Sequence, residues 1–313
     1  MNAERTRLVF DTDLGEDIDD LYALYYALCH PRLDVVAVTT VHGDTLAKAR
    51  LTAKLLRVAG RTDIPVGAGI GLSAERIARG EKLPDPAKAA RSSYLRYLTP
   101  DDSEWTLEVP SAEEVTAQAL RRSASPVALV GIGAMSNLAA VIRAADAPTR
   151  RKIRCAAIMA GETQAVWNEY NVVCDPEAAD YVLTCGLPVF LGTHHVTGQV
   201  VLTTAEVDRH FGHSDQPLHK ALHECTVLWS PHQGSKPGPV LYDLVPLVYL
   251  ADPGSVQTRR STVRVELEGR YTRGQTVRLG GDQDGTVLES VGLDAPHMVR
   301  ELLAVLGAAK TDG

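Results

Sequence analysis

Residues 11–20, Asp-Thr-Asp-Leu-Gly-Glu-Asp-Ile-Asp-Asp, crowd carboxylates between an apolar run, Leu8 to Phe10, and an amphipathic stretch, Ile18 to His30. Like charges at this spacing repel, and more strongly where water is excluded. Such a segment becomes tolerable in a folded chain when a cation sits among the acids, and an all-oxygen donor set suits hard ions such as Mg²⁺ or Ca²⁺. Asp11 and Asp13 are two apart, so they share a face of an extended segment. Asp19 and Asp20 open the helix, where carboxylates also suit the positive end of the dipole. Capping alone needs one acid. An EF-hand loop is excluded, because the third alternate position from Asp11 is Gly15. A phosphatase with Asp11 as nucleophile would also place Asp-x-Asp at the end of a first strand, and that reading stays open at this point.

Other polar clusters stand at predicted strand ends. Asn168-Glu-Tyr-Asn171 follows the strand Ile153 to Gly161, and its amides and acid offer the donors and acceptors that a polyol such as ribose requires. Asp175-Pro176 reads as a helix cap followed by Pro at the first position. Gly131 to Asn137 is a Gly-rich turn into a helix, a weak signal for phosphate when taken alone. His194 and His195 follow the strand Pro188 to Thr193, and being adjacent they point apart and do not form a metal pair. His219 and His223 share a helix face without the Glu of a zinc-protease helix, so they read as a solvated or substrate-facing stripe. Asp243 begins a helix, where an acid is ordinarily a cap.

The elements that must position these groups alternate. Strands are predicted at Leu8–Phe10, Leu33–Val41, Ile64–Gly69, Pro126–Gly133, Ile153–Gly161 and Pro188–Thr193, with helices between them. That rhythm predicts parallel crossovers: an α/β, doubly wound, mostly parallel sheet with helices on both faces. Ser261–Leu267 and Tyr271–Leu279 predict a small peripheral β-hairpin. Residues 70–110 break the rhythm and read either as a functional loop or as a surface insertion with short helices. No linker or repeat is evident, so residues 1–313 are expected to form one domain. The 313 residues carry a net charge of −7 with no basic run, which argues against nucleic acid as partner. No apolar stretch would span a bilayer. The absence of a signal-like N-terminus and five scattered Cys residues point to a reduced, cytoplasmic protein.

Four separated blocks together resemble the inosine–uridine-preferring nucleoside hydrolase family: Asp11–Asp20, Gly131–Leu138, Glu169–Ala179 and Asp243. The usual N-terminal signature has one residue between the Gly and the Asp pair; here three, Glu16 to Ile18, make the loop longer by two. The resemblance implies hydrolysis of the N-glycosidic bond of a ribonucleoside to ribose and base. It implies Ca²⁺ held by Asp13, Asp20, Asp243 and the Ile132 carbonyl, with Asp13 taking the proton of the attacking water. Asp19, Glu169 and Asn171 are implied as ribose contacts, with Asp44 and Asn168 as weaker candidates. Tyr242 replaces the family His before the last metal ligand, so help to the leaving group should be smaller or come from Trp167, Trp229 or His232. A homodimer or homotetramer is also implied. A riboside-binding protein of the same fold without turnover is the alternative.

Overall fold

The first strand, β1 (Thr6–Thr12), is apolar on both sides because it is covered on both sides. Leu8 and Phe10 enter one core cluster, and Val9 enters the other. A continuous apolar run is what a central parallel strand needs. The computed structural model describes residues 5–83, 94–232, 237–280 and 285–308. Its nine strands form one sheet in the order β3-β2-β1-β4-β5-β6-β9-β7-β8. β2 (Leu33–Thr40) and β4 (Val127–Gly131) flank β1 in parallel register. β3 (Val66–Ala68) lies outside β2, while β5 (Ile153–Met159) and β6 (Val189–Gly192) continue beyond β4. The chain therefore winds outward from β1 in one direction and returns to wind in the other. The crevice between the carboxyl ends of β1 and β4 is the switch point where open parallel sheets bind ligands.

Helix α1 (Asp19–Cys29) packs one face of the sheet, and its tyrosines at 22, 25 and 26 are fully buried. Helix α2 (Thr45–Val58) follows β2. The sheet's far side differs in one respect from the reading of an isolated hairpin. β7 (Val256–Val265) and β8 (Thr276–Leu279) do pair antiparallel, but β7 also pairs with β9 (Val287–Leu293), and β9 runs parallel to β6. The hairpin is thus the edge of the main sheet. β9 escapes a search for apolar alternation because Glu289 and Ser290, both fully buried, interrupt it. Glu289 is satisfied by partners distant in sequence: Ser261 donates at 2.6 Å, Arg259 at 3.1 Å, and the Thr163 hydroxyl also donates.

The stretch 70–110 forms short helical turns, Ala74–Ala78, Tyr94–Tyr97 and Ser103–Thr106; Pro84 and Pro86 lie outside the described residues. It also braces the acidic loop. Tyr94 is buried, and the Leu95 N–H donates to the Gly15 carbonyl at 3.2 Å.

Candidate active site

The acidic loop turns upward where β1 ends. Asp13 lines a cavity of about 370 Å³, together with Glu16, Asp17, Asp19 and Asp20 from the same loop and helix start. That volume is within the range of small-molecule sites. Asp19 and Asp20 form the first turn of α1, whose own cap, Ile18, offers no side-chain bond. Asp20 accepts from the Thr12 hydroxyl, and Asp19 accepts from the Asp243 backbone N–H at 3.2 Å. Asp243 stands before the helix Leu244–Ala251 but makes no side-chain cap, so its carboxylate is not spent on the helix. Oxygen atoms of Asp19, Asp20 and Asp243 all lie within 4.8 Å of one another.

Burial is the main reason these acids resist ionisation. It pushes Asp13 up to about 7, helped by the Glu16 and Asp17 charges and opposed by Lys48. Asp19, Asp20 and Asp243 are raised well above the usual carboxylate range, first by burial and then by neighbouring carboxylates: Asp17 and Asp13 act on Asp19, Asp13 and Asp19 on Asp20, and Asp19 and Asp20 on Asp243. The buried Lys48 ammonium is committed to Glu16 at 2.6 Å. Four mutually repelling, desolvated carboxylates with so little compensation fit a hard divalent cation. The exit of β4 crosses close by. A Cβ at Gly133 would lie 2.8 Å from an Asp13 oxygen, so only Gly lets the backbone approach.

The second wall comes from the loop after β5. Glu169 caps the helix Tyr170–Cys174 and accepts from the backbone N–H groups of Gly161, Asn171 and Val172. These bonds fix the carboxylate in the cavity wall. Burial still raises its pKa despite these bonds. The Asn171 amide donates to the Ile132 carbonyl at 3.0 Å and to the Met159 carbonyl at 3.1 Å. Ile132, Glu169, Tyr170 and Asn171 all line the cavity. The third wall is aromatic: Trp167 stacks on His194, and His194 stacks on Tyr242.

Thus Asp13, Asp19, Asp20, Ile132, Trp167, Glu169, Asn171, Tyr242 and Asp243 converge, and the remaining sequence candidates do not. Asp44 accepts from the Ala47 N–H and caps α2, because the left-handed turn at His42-Gly43 aims it at that helix. Asn168 is exposed and donates to the Arg273 carbonyl at 3.1 Å. Trp229 is buried against a different cavity, beside Thr204 and Val207. His232 ends the 3-10 turn Ser230–His232, and its side chain lies outside the described residues. Asp11 does not share the Asp13 wall: it is 1% exposed and accepts from Thr39 at 2.5 Å and Asn137 at 2.7 Å beneath the strand end. A nucleophile sealed there could not reach a phosphate, which removes the phosphatase reading. His219 is a satisfied core residue, bonded to Ser214 and the Leu306 carbonyl, and only His223 lies toward solvent, paired with Asp208. Sequence reasoning missed Glu16, Asp17, Met159, Tyr170 and His194 as wall residues. For His194 a signal existed, a His pair at a strand exit, but it was weighed only as a metal site.

A doubly wound parallel sheet with a carboxylate cavity at its switch point defines an α/β enzyme built to hold a cation and a small polar substrate. The profile of the inosine-uridine preferring nucleoside hydrolases matches residues 8–302, and the chain belongs to that family. It is 29% identical over 293 residues to the pyrimidine-specific ribonucleoside hydrolase RihA of Salmonella typhi, covering 86% of this chain and 87% of that one. A plant nucleoside hydrolase, the PpNRh1 enzyme, superposes with a TM-score of 0.80 at 27% identity, covering 97% of this chain and 99% of that one. The purine-preferring ribonucleoside hydrolase from Gardnerella vaginalis shares the fold, with a TM-score of 0.82 at 23% identity and coverage of 97% and 99%. The chain is accordingly a nucleoside hydrolase, an enzyme that cleaves the N-glycosidic bond of ribonucleosides.

Proposed function

We propose that the nucleoside lies with its ribose against Asp19, Glu169 and Asn171, and its base toward the aromatic wall, and that Asp13 is the general base. The observation that carries this reading is the convergence of Asp13, Asp19, Asp20 and Asp243 on one cavity that also holds Glu169 and Asn171. We infer Ca²⁺ as the cation, held by Asp13, Asp20, Asp243 and the Ile132 carbonyl; Asp19, within the same 4.8 Å set as Asp20 and Asp243, borders it. A bound divalent cation supplies Lewis acidity and neutralises the acid cluster. Asp13 accepts the proton of the water that adds to C1′. As the C1′–N bond breaks, positive charge grows on the ribose ring, and the surrounding carboxylates stabilise it. The Glu169 and Asn171 side chains fix the ribose hydroxyls and so place C1′.

The test is product analysis of a nucleoside panel with added Ca²⁺ and with EDTA. Release of free ribose and base, abolished by EDTA and restored by Ca²⁺, is expected. Tight nucleoside binding with no products would favour the non-catalytic binding protein instead. The homodimer or homotetramer implied by the family is part of this proposal and is checked by light scattering of the purified chain.

A further inference from the structure

His194 is the middle ring of a three-ring stack. Its centroid lies 5.1 Å from Trp167, with planes 19° apart, and 5.2 Å from Tyr242, with planes 20° apart. All three side chains line the cavity. With its flat faces taken up by neighbouring rings, the imidazole can meet a ligand only through its edge. An edge delivers or accepts a proton, whereas stacking on a base requires a face.

A buried carboxylate stands beside the ring. Glu162, buried at the exit of β5, places Oε2 at 3.8 Å from His194 Nδ1, while its Oε1 is 2.8 Å from His195 Nδ1 and accepts from the Gln164 N–H at 2.7 Å. From the other elements around the cavity come Tyr242 and Asp243, Asp13, Glu16, Asp17, Asp19 and Asp20, and Glu169 and Tyr170. Apart from His194 itself, none of the described residues lining the cavity is basic. The aromatic faces of Trp167 and Tyr242 add cation–π attraction.

We propose that His194 donates the proton to the departing base, with Tyr242 and Trp167 holding its ring in place. This rests on the nucleoside hydrolase reading above. Water adds its oxygen to C1′ and loses a proton to Asp13. The C1′–N bond breaks, and its electron pair goes to the base, which takes the proton from the His194 imidazolium. Solvent then reprotonates the neutral imidazole. Without this donor an ordinary base must leave as an anion, whereas p-nitrophenolate departs readily without a proton.

The experiment compares kcat/KM for uridine, inosine and p-nitrophenyl riboside in the wild type, His194→Ala and His194→Gln. Both variants should lose at least ~10²-fold on the nucleosides, the usual size of an acid contribution. Both should lose much less on p-nitrophenyl riboside, whose leaving group needs no proton. The Gln variant keeps a side chain of similar reach and hydrogen-bonding capacity without a transferable proton, so it answers the question even if the Ala variant folds poorly. Equal losses on both substrate types, or unchanged nucleoside turnover, overturn the role of His194. A wild type inactive on p-nitrophenyl riboside and on both nucleosides overturns the underlying hydrolase reading instead.

Discussion

Asp13 and Asp11 differ by two positions and by everything that matters chemically. Asp11 gives one oxygen to Thr39 and Asn137 and has no access to the cavity, whereas Asp13 stands in its wall. Asp13→Asn keeps the shape and one ligand oxygen but cannot accept a proton. Turnover of a nucleoside should fall by at least ~10²-fold while the chain still folds cooperatively, measured by ribose release beside a thermal scan. Asp11→Asn should act on stability instead. Lys48 is the second residue to test. It is a buried ammonium paired with Glu16, and its charge lowers the Asp13 pKa. Lys48→Met should leave less of Asp13 ionised at a given pH by raising its pKa further. The acidic limb of the kcat/KM profile should then move to higher pH, and an unmoved limb would show that the lysine serves only the fold of the loop.

At the scale of elements, the site is four strand exits, after β1, β4, β5 and β6, brought level by one sheet and joined by Asp243 at a helix start. Two of them, after β1 and after β5, are stiffened by caps and backbone bonds already on those loops. The loop carrying Trp167 is also tied sideways to the sheet edge, since Thr163 donates to the buried Glu289 of β9, which Arg259 and Ser261 also hold. Glu289→Ala would leave the arginines without their counter-charge. Because Arg259 is itself a third exposed, the loss should sit near the low end of that for breaking a buried pair, ~3 kcal/mol. Urea unfolding measures it. KM for nucleosides should rise as well, because the Trp167 loop loses its anchor.

For the molecule as a whole, one sheet joins residues 6 to 293, and a single cooperative unfolding transition is expected in calorimetry. Its midpoint should depend on pH and cation together. Asp11 and Asp13 have folded-state pKa values of about 7, raised from an ordinary 3.8 by burial. A carboxylate raised in the folded state binds its proton more tightly there than in the unfolded chain. These two groups therefore make the stability of the cation-free protein fall as pH rises from about 4 to about 7. A cation bound only by the native state offsets the penalty among the acids that ligate it. The gain in melting temperature from Ca²⁺ over EDTA should be larger at pH 8 than at pH 5. An equal gain at both pH values would contradict the assignment of the ion to this acid cluster.

The order of the blocks, their places at strand ends and the parallel winding were legible in the sequence, because each rests on a local pattern: a β-branched run, a turn, an acid-rich helix start. The acid pair at Asp19-Asp20 and the Glu169–Asn171 segment were legible for the same reason. What local pattern could not show is which way a side chain turns once the strand has ended. Asp44 and Asp243 both precede helices, yet one caps and the other faces the cavity; the difference lies in the backbone turn at His42-Gly43 and in the contact of the Asp243 N–H with Asp19. Trp229 and Trp167 are equally aromatic in sequence, but packing buries the first in another part of the molecule. β9 was hidden because the partners that make a buried Glu289 tolerable come from residues 163, 259 and 261. The stack of Trp167, His194 and Tyr242 joins three loops far apart along the chain. Only the closed sheet brings such groups within reach, since their interaction depends on distances that sequence spacing does not encode.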